Sequence, residues 1–334
     1  MGVDNPPAES HLLELDGLTV RLPVASVMRT VLDRVSLTVD RGESVGLVGE
    51  SGSGKSMTAR SILRLLPPGA KVEGTISYDG KDVYTLRGGR LRSYRHEVSM
   101  VYQDPRAHTN PVRRIDDFMT ETLREAMPKS EARERAIDML HQVGIRDGVR
   151  CMHQFPHQLS GGMLQRVMIA TAVLTRPRLI LADEPTTALD VTTQAEVMGI
   201  IGALRRELGL ALLFITHDLD LAAAVCDRTA VMYAGQIVET QASSSLHDQP
   251  LHPYSAALAA ARPSISSTEP RLAAIPGRPV SAFEAPPGCA FAPRCPHVRD
   301  HCRAARPEIR EFGGGFVRCV RAEELYTALG ARHV

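Results

Sequence analysis

The pattern of this 334-residue chain predicts an α/β architecture, a parallel sheet covered by helices on both faces. Short runs that are apolar at every position, such as "RLILAD" and "ALLFITHD", alternate with longer stretches of helical spacing. A run apolar at every position is a strand buried on both sides, the condition of a parallel sheet between helix layers.

Taken in order, residues 1–10 are polar and contain prolines, and are expected to be disordered. From 12 to about 100, β-like runs alternate with turns. "ESVGLVG" reads as a strand, a helix follows from about Gly54 to Leu66, and "VEGTISYDG" reads as the next strand. Residues 104–160 are rich in Arg, Glu and Met, and the amphipathic spacing of "DDFMTETLREAM" and "EARERAIDMLHQVG" predicts helices. A helix after Gly162 leads to "RLILAD". "DVTTQAEVMGIIGALRREL" is another helix, "ALLFITHD" a second buried strand, and "RTAVMYAGQIVE" a hairpin turning at Gly235. Beyond Gln241 come "HDQPLHPYSAALAAARPS", a Pro-rich stretch and four cysteines. The expected organisation is a core domain over 11–245, a helical subdomain inserted at about 104–165, and a C-terminal extension over 246–334.

Composition narrows the function classes. With 43% hydrophobic and 23% charged residues the chain can bury a sizeable core, and a net charge of +1 gives no reason to expect a nucleic-acid partner. "MGVDNPPAESHLLEL" has neither the basic nor the apolar region of a signal peptide, and Pro6 stands where a myristoylation motif needs Ser or Thr. "LGLALLF" at 208–214 is far shorter than a membrane span. These features predict a cytoplasmic protein, where clustered cysteines bind metal more often than they form disulfides.

"GESGSGKS", Gly49 to Ser56, matches G-x-x-x-x-G-K-[ST] in full, after an apolar run and before a helix. Backbone N–H groups must turn inward around phosphate oxygens, which calls for Gly49, Gly52 and Gly54. The positive end of the following helix adds to that field. The expected nucleotide contacts are Gly49, Glu50, Ser51, Gly52, Ser53, Gly54, Lys55, Ser56 and Met57. Lys55 neutralises the β- and γ-phosphates, and the Ser56 hydroxyl binds Mg²⁺.

"RLILADEPTTALD" supplies the acids. Asp183 ends a buried strand, where ligands collect in open α/β sheets, and would hold Mg²⁺. Glu184, one residue on, is placed to polarise an attacking water. Gln103 in "MVYQDP" and His217 in "FITHD" each follow an apolar run, and are expected to touch Mg²⁺ with the attacking water and the γ-phosphate respectively. In "LSGGMLQR", Ser160, Gly161 and Gly162 precede a helix and form a second anion-binding helix start.

These motifs, in this order, resemble the ATP-binding cassette (ABC) family of phosphate-loop NTPases. The phosphate loop matches Gly49 to Ser56, the Q-loop Gln103, the signature Leu159 to Met163, the Walker B aspartate and catalytic glutamate Asp183 and Glu184, the D-loop Ala188 to Asp190, and the switch histidine His217. The resemblance implies a head-to-tail pair of cassettes with two ATP molecules between them, Ser160, Gly161 and Gly162 meeting the partner's ATP. It implies ATP hydrolysis that drives a membrane partner. Two positions depart from the family: Met163 stands where Gln is usual, and Leu22 where an aromatic often stacks on adenine.

"QDPRAHTNPVRRI", "FPHQLSGGM", "LHPYSAAL" and "GCAFAPRCP" look like the ATPase subunits of oligopeptide/dipeptide importers, a branch that includes nickel and other small cargo. The branch implies two integral-membrane permease subunits that contact the region around Asn110 and Pro111, a second cassette ATPase, a paralogue by expectation, and an extracytoplasmic substrate-binding protein. It places the chain peripherally on the cytoplasmic face of the inner membrane. A soluble cassette acting on nucleic acid or ribosomes is the rival class. The chain has no heptad run and one phosphate loop, which speaks against the DNA-repair and translation-factor forms.

Cys289, Cys295, Cys302 and Cys319 are spaced C-x5-C-x6-C-x16-C. Structural zinc prefers closer pairs, whereas longer spacers suit an iron–sulfur cluster held from several sides. His297 and His301 keep zinc open, and buried thiols without metal are the third reading. The importer resemblance implies a [4Fe–4S] cluster on these four cysteines. Nothing in the spacing places this tail near the phosphates, so it reads as a structural or redox-sensitive element.

Overall fold

The computed structural model describes residues 11–187, 189–261 and 275–330. The segment 1–10, expected to be disordered, lies outside them. The chain divides into two compact units, one drawn from residues up to Thr85 and from Phe214 onward, the other spanning Leu86–Leu213.

In the first unit β1 (Leu13–Val24) and β2 (Val27–Val39) form a long hairpin, with Ala25 and Ser26 at φ 47° and 66° in its turn. They are followed by β3 (Ser44–Val48), α1 (Lys55–Ile62), β4 (Lys71–Tyr78) and the short β5 (Lys81–Asp82). An antiparallel sheet in the order β2-β1-β4-β5 results. β1 begins by alternating, Leu13 and Leu15 buried, Glu14 and Asp16 exposed, as one face of a half-covered sheet requires. This sheet is separate from the one that carries β3. α1 ends at Ile62, short of Leu66, because Arg64 turns left-handed at φ 57° and Pro67 stands three residues further on.

The second unit holds α2 (Gly88–Glu97), β6 (Val98–Val101), α3 (Ile115–Thr120), α4 (Lys129–Gln142), α5 (Gly148–His153), α6 (Gly161–Leu174), β7 (Leu179–Asp183) and α7 (Val191–Leu208). β6 and β7 run parallel, Val98 beside Leu179 through Val101 beside Ala182. The helix expected over "DDFMTETLREAM" breaks after Thr120, where the threonine hydroxyl donates back to the Asp116 carbonyl (2.7 Å).

β8 (Ala211–Thr216) returns the chain to the first unit. There α8 (Leu219–Val225), β9 (Arg228–Tyr233) and β10 (Gln236–Ala242) precede α9 (Ser243–Leu246), α10 (Pro253–Ala260), α11 (Asp300–Ala304), β11 (Arg310–Phe312), β12 (Gly315–Val317) and α12 (Ala322–Gly330). β3 pairs parallel with β9, β9 antiparallel with β10 across the predicted turn at Gly235, and β12 and β11 continue the sheet from β10. The C-terminal extension therefore extends the same sheet that carries β3.

The join explains why β10 is buried along almost its whole length although it carries Gln236, Glu239, Thr240 and Gln241. Glu239, fully buried, accepts from the backbone N–H groups of Leu251 (2.9 Å) and His252 (2.8 Å) and from the Gln241 amide (2.8 Å). Those bonds anchor the start of α10. Apolar packing completes the attachment, with Tyr233, Tyr254 and Phe291 fully buried in one cluster with Val48 and Val231.

Candidate nucleotide site

The phosphate loop follows directly from β3, all five of whose residues are buried. A Cβ on Gly49 would stand 2.1 Å from the Met232 carbonyl oxygen, so only glycine fits there. Gly54, at φ 114°, is the N-cap of α1 and turns the chain into the helix. Lys55 is buried, and its ammonium donates to the carbonyls of Gly49 (2.7 Å) and Glu50 (3.1 Å), curling the loop around its own charge. Ser53 is buried, and its hydroxyl oxygen has no hydrogen-bond partner among the described residues. Ser56 occupies the first turn of α1, beside Lys55. A loop of this form, closed on a buried cation at a helix start, suits a polyphosphate.

Leu22 lies half-buried on β1, and the hairpin tip beyond it exposes Val24, Val27 and Met28. His217 directly follows β8 and is exposed, and Asp218 caps α8 by accepting from the N–H groups of Asp220 and Leu221.

In the second unit the parallel pairing of β6 with β7 brings together residues 81 positions apart. Gln103 donates to Glu184 Oε2 (3.1 Å), and the Thr187 hydroxyl donates to the same oxygen (2.9 Å). Asp183 is buried at the end of β7. Glu184 has φ 44°, a left-handed backbone for which a non-glycine residue gives up about 1–2 kcal/mol. The expected acid pair is thus split into one buried and one half-exposed carboxylate, the second held by an amide and a hydroxyl.

Ser160 is the N-cap of α6, its hydroxyl accepting from the Met163 N–H (3.2 Å). Gly162 packs against Thr193 so closely that a Cβ would stand 2.7 Å from its methyl. Asp190 caps α7, and hydrogen bonds from the Thr193 N–H and then its hydroxyl hold the carboxyl below the usual carboxylate range. Ser160, Gly162 and Met163 line an open cavity of about 560 Å³ with Arg146, Arg150 and Thr193. Ala188, the first residue of the D-loop match, lies outside the described residues.

The four-cysteine reading requires correction. Among the described residues no group of three or more His, Cys, Asp or Glu side chains is placed to hold a metal ion. Cys289, Cys295, Cys302 and Cys319 do line one cavity, but its volume is about 20 Å³, the room of a single water. Burial pushes the Cys295 thiol up to about 11 and the Cys319 thiol up to about 12, and raises Cys289, so all three are protonated in the metal-free chain. The iron–sulfur and zinc readings are withdrawn. Cys289 and Cys295 pack against the Phe291 cluster, and Cys319 against Leu251, Val317 and Ala322.

The extension is not remote from the phosphate loop, contrary to the expectation from spacing. Arg294, one residue before Cys295, forms a bidentate ion pair with Glu50 (2.6 and 3.0 Å), and the Tyr254 hydroxyl accepts from the Glu50 N–H (2.9 Å). Tyr254 and Arg294 lie in "LHPYSAAL" and "GCAFAPRCP", two of the stretches that carry the importer resemblance, but nothing in those stretches pairs either residue with Glu50. Glu50 is the local signal, an acid inside a Gly/Ser loop, and its side chain is 22% exposed.

Comparison with known proteins agrees with this geometry. The family model for the ABC transporter matches residues 32–187, and that for the C-terminal region of oligopeptide/dipeptide transporters matches 238–302. The oligopeptide transport ATP-binding protein OppD of Salmonella typhimurium is 40% identical over 94% of either chain. The dipeptide transport ATP-binding protein DppD of Escherichia coli is 42% identical over 91% of this chain and 94% of its own. Among solved structures, the dimeric ATP-binding cassette MJ0796 bound to ADP and Pi superposes with a TM-score of 0.62 at 29% identity, covering 69% of this chain and 98% of that one.

Proposed function

This chain belongs to the ABC transporter family of ATP-binding subunits, and from that membership we propose that it binds and hydrolyses ATP to energise uptake of oligopeptides or dipeptides by a membrane importer. The observation that carries the reading is the joining of a complete phosphate loop at Gly49–Ser56 to a C-terminal region of the oligopeptide/dipeptide transporter type. In this reading residues 11–245 are the ATPase domain, with its helical subdomain at about 104–165, and 246–334 the extension.

Roles follow from chemistry. Lys55 and the loop N–H groups hold the phosphates. Ser56, Asp183 and Gln103 supply the oxygen donors that suit Mg²⁺, which would neutralise charge on the β- and γ-phosphates. Glu184 polarises the attacking water, with Gln103 and Thr187 orienting its carboxylate. His217 contacts the γ-phosphate. Ser160, Gly161 and Gly162 contact ATP held by a second cassette. Adenine packs on Leu22 or on a residue of the adjoining "VASVMR" stretch. Permease subunits dock around Asn110 and Pro111, next to a Val112 that is 79% exposed, a large apolar side chain left mostly uncovered by the described residues. Among the described residues no helix is long and apolar enough to cross a membrane, so membrane attachment is assigned to those partners.

Tagged chain purified from detergent-solubilised membranes is expected to bring down two permease subunits and a second cassette, identified by mass spectrometry. Ribosomes or nucleic-acid factors without any integral membrane protein would overturn the importer assignment. Lys55→Ala is expected to weaken MgATP binding at least about tenfold in calorimetry, since a charge-assisted contact to phosphate is lost.

A further inference from the structure

Two of the three polar handles of one phosphate-loop residue are held by the C-terminal extension. The Glu50 carboxylate meets the guanidinium of Arg294 fork to fork, Nη1 to Oε2 at 2.6 Å and Nη2 to Oε1 at 3.0 Å. The Arg294 side chain is only 4% exposed, and its Nε donates to the Pro276 carbonyl (2.7 Å), so it is fixed from the extension's side as well. The Glu50 N–H donates to the hydroxyl of Tyr254 (2.9 Å). That ring is fully buried between Tyr233 and Phe291, with centroids 4.6 and 5.2 Å away.

The third handle of Glu50, its carbonyl, belongs to the loop. It accepts from the Lys55 ammonium (3.1 Å) and from the Ser53 N–H (3.2 Å). The peptide gripped by the extension is thus the one around which the loop closes. A Gly- and Ser-rich loop loses much conformational freedom when it orders around a ligand, and a loop held in advance loses less. A bidentate Arg–carboxylate pair with a buried guanidinium is a stiff constraint, because it fixes direction as well as distance.

We propose that Arg294 and Tyr254 are positioning residues that hold Glu50, and with it the Gly49–Ser56 loop, in its closed form, so that the C-terminal extension sets the affinity for ATP. The proposal rests on the ATPase reading above and adds to it a role for the extension, which otherwise has none in the chemistry. Neither residue touches the reacting atoms, so their loss acts on nucleotide binding and leaves the hydrolytic step in place.

The test uses the full-length chain for MgATP calorimetry and the assembled transporter in proteoliposomes for steady-state ATPase. Arg294→Ala is expected to raise KM for ATP about tenfold with kcat within about twofold of wild type. Arg294→Lys keeps the charge but not the fork and is expected to fall between. Adding Glu50→Gln to Arg294→Ala is expected to cost little more than Arg294→Ala alone, since the two groups act as one unit. Should Arg294→Ala fail to fold, Tyr254→Phe carries the test: it keeps the ring and its packing, loses one hydrogen bond, and is expected to raise KM about threefold. Unchanged KM in folded Arg294→Ala or in Tyr254→Phe overturns the proposal, as does an equal loss of kcat and kcat/KM. If wild type itself binds no MgATP, the nucleotide reading falls, and the variants are not needed to show it.

Discussion

Glu184→Gln is expected to bind MgATP as tightly as wild type and to lose turnover by a factor on the order of 10²–10⁴, the contribution of a positioned general base. The substitution removes the carboxylate but keeps the shape, so Gln103 and Thr187, which now donate to Glu184 Oε2, lose little else. With binding intact and hydrolysis blocked, the cassette pair is expected to accumulate in its ATP-bound, closed form, visible as a larger species in size-exclusion chromatography with MgATP. Phosphate-release assays settle the rate. Hydrolysis near the wild-type level would remove Glu184 from the role of base. A parallel loss of ATP affinity would mean that it serves the phosphates rather than the water.

The second large effect concerns the joint between β10 and the extension. Glu239→Ala leaves the buried N–H groups of Leu251 and His252 without acceptors, and a buried unpaired donor costs about 1–3 kcal/mol. The loss expected in urea unfolding is on the order of 3 kcal/mol, accompanied by faster hydrogen exchange in α10. The joint is also sensitive to pH. Burial pushes the Glu239 carboxyl up to about 7, against an ordinary value of 4.5. Because the folded state favours the protonated acid, its contribution is fully present below the ordinary value. It is lost as pH rises through about 7, by an amount on the order of 3 kcal/mol.

His252 works the other way. Burial first, and the Arg318 charge second, lower its imidazole to about 3, so its contribution is present above the ordinary 6.5 and is lost as pH falls. The two slopes oppose each other in the acid range, and Glu239→Gln separates them. That variant carries a constant penalty, because its amide meets a backbone donor, but it does not titrate. The stability of wild type relative to Glu239→Gln is therefore expected to fall as pH is raised from about 5 to about 8. A difference that does not change with pH would show that the carboxyl is not the titrating group.

Much of this molecule is legible from its sequence, and the reason is local. The phosphate loop is read from glycines whose backbone must turn or approach closely, as the 2.1 Å clearance at Gly49 and φ 114° at Gly54 bear out. Buried strands such as Leu179–Asp183 and caps such as Ser160 and Asp190 are likewise decided within a few residues, by hydrophobic period and by side-chain oxygens near helix N–H groups. The thiol spacing was misleading because spacing says how far apart cysteines are along the chain. It does not say whether they leave room between them, and here the room is about 20 Å³.

Sequence alone therefore determined where the Gly49–Ser56 loop, the acid-bearing strand end and the helix starts fall, since each depends on neighbours in the chain. Only tertiary structure decided that Gln103 meets Glu184 and that Arg294 and Tyr254 meet Glu50. Those contacts join residues 81, 244 and 204 positions apart, and they exist because strand pairing and burial of the Tyr233–Tyr254–Phe291 cluster bring distant segments together. No local propensity encodes such a meeting. It is selected by the free energy of covering one apolar surface with another, and the polar pairs are then fixed by what that covering leaves in reach.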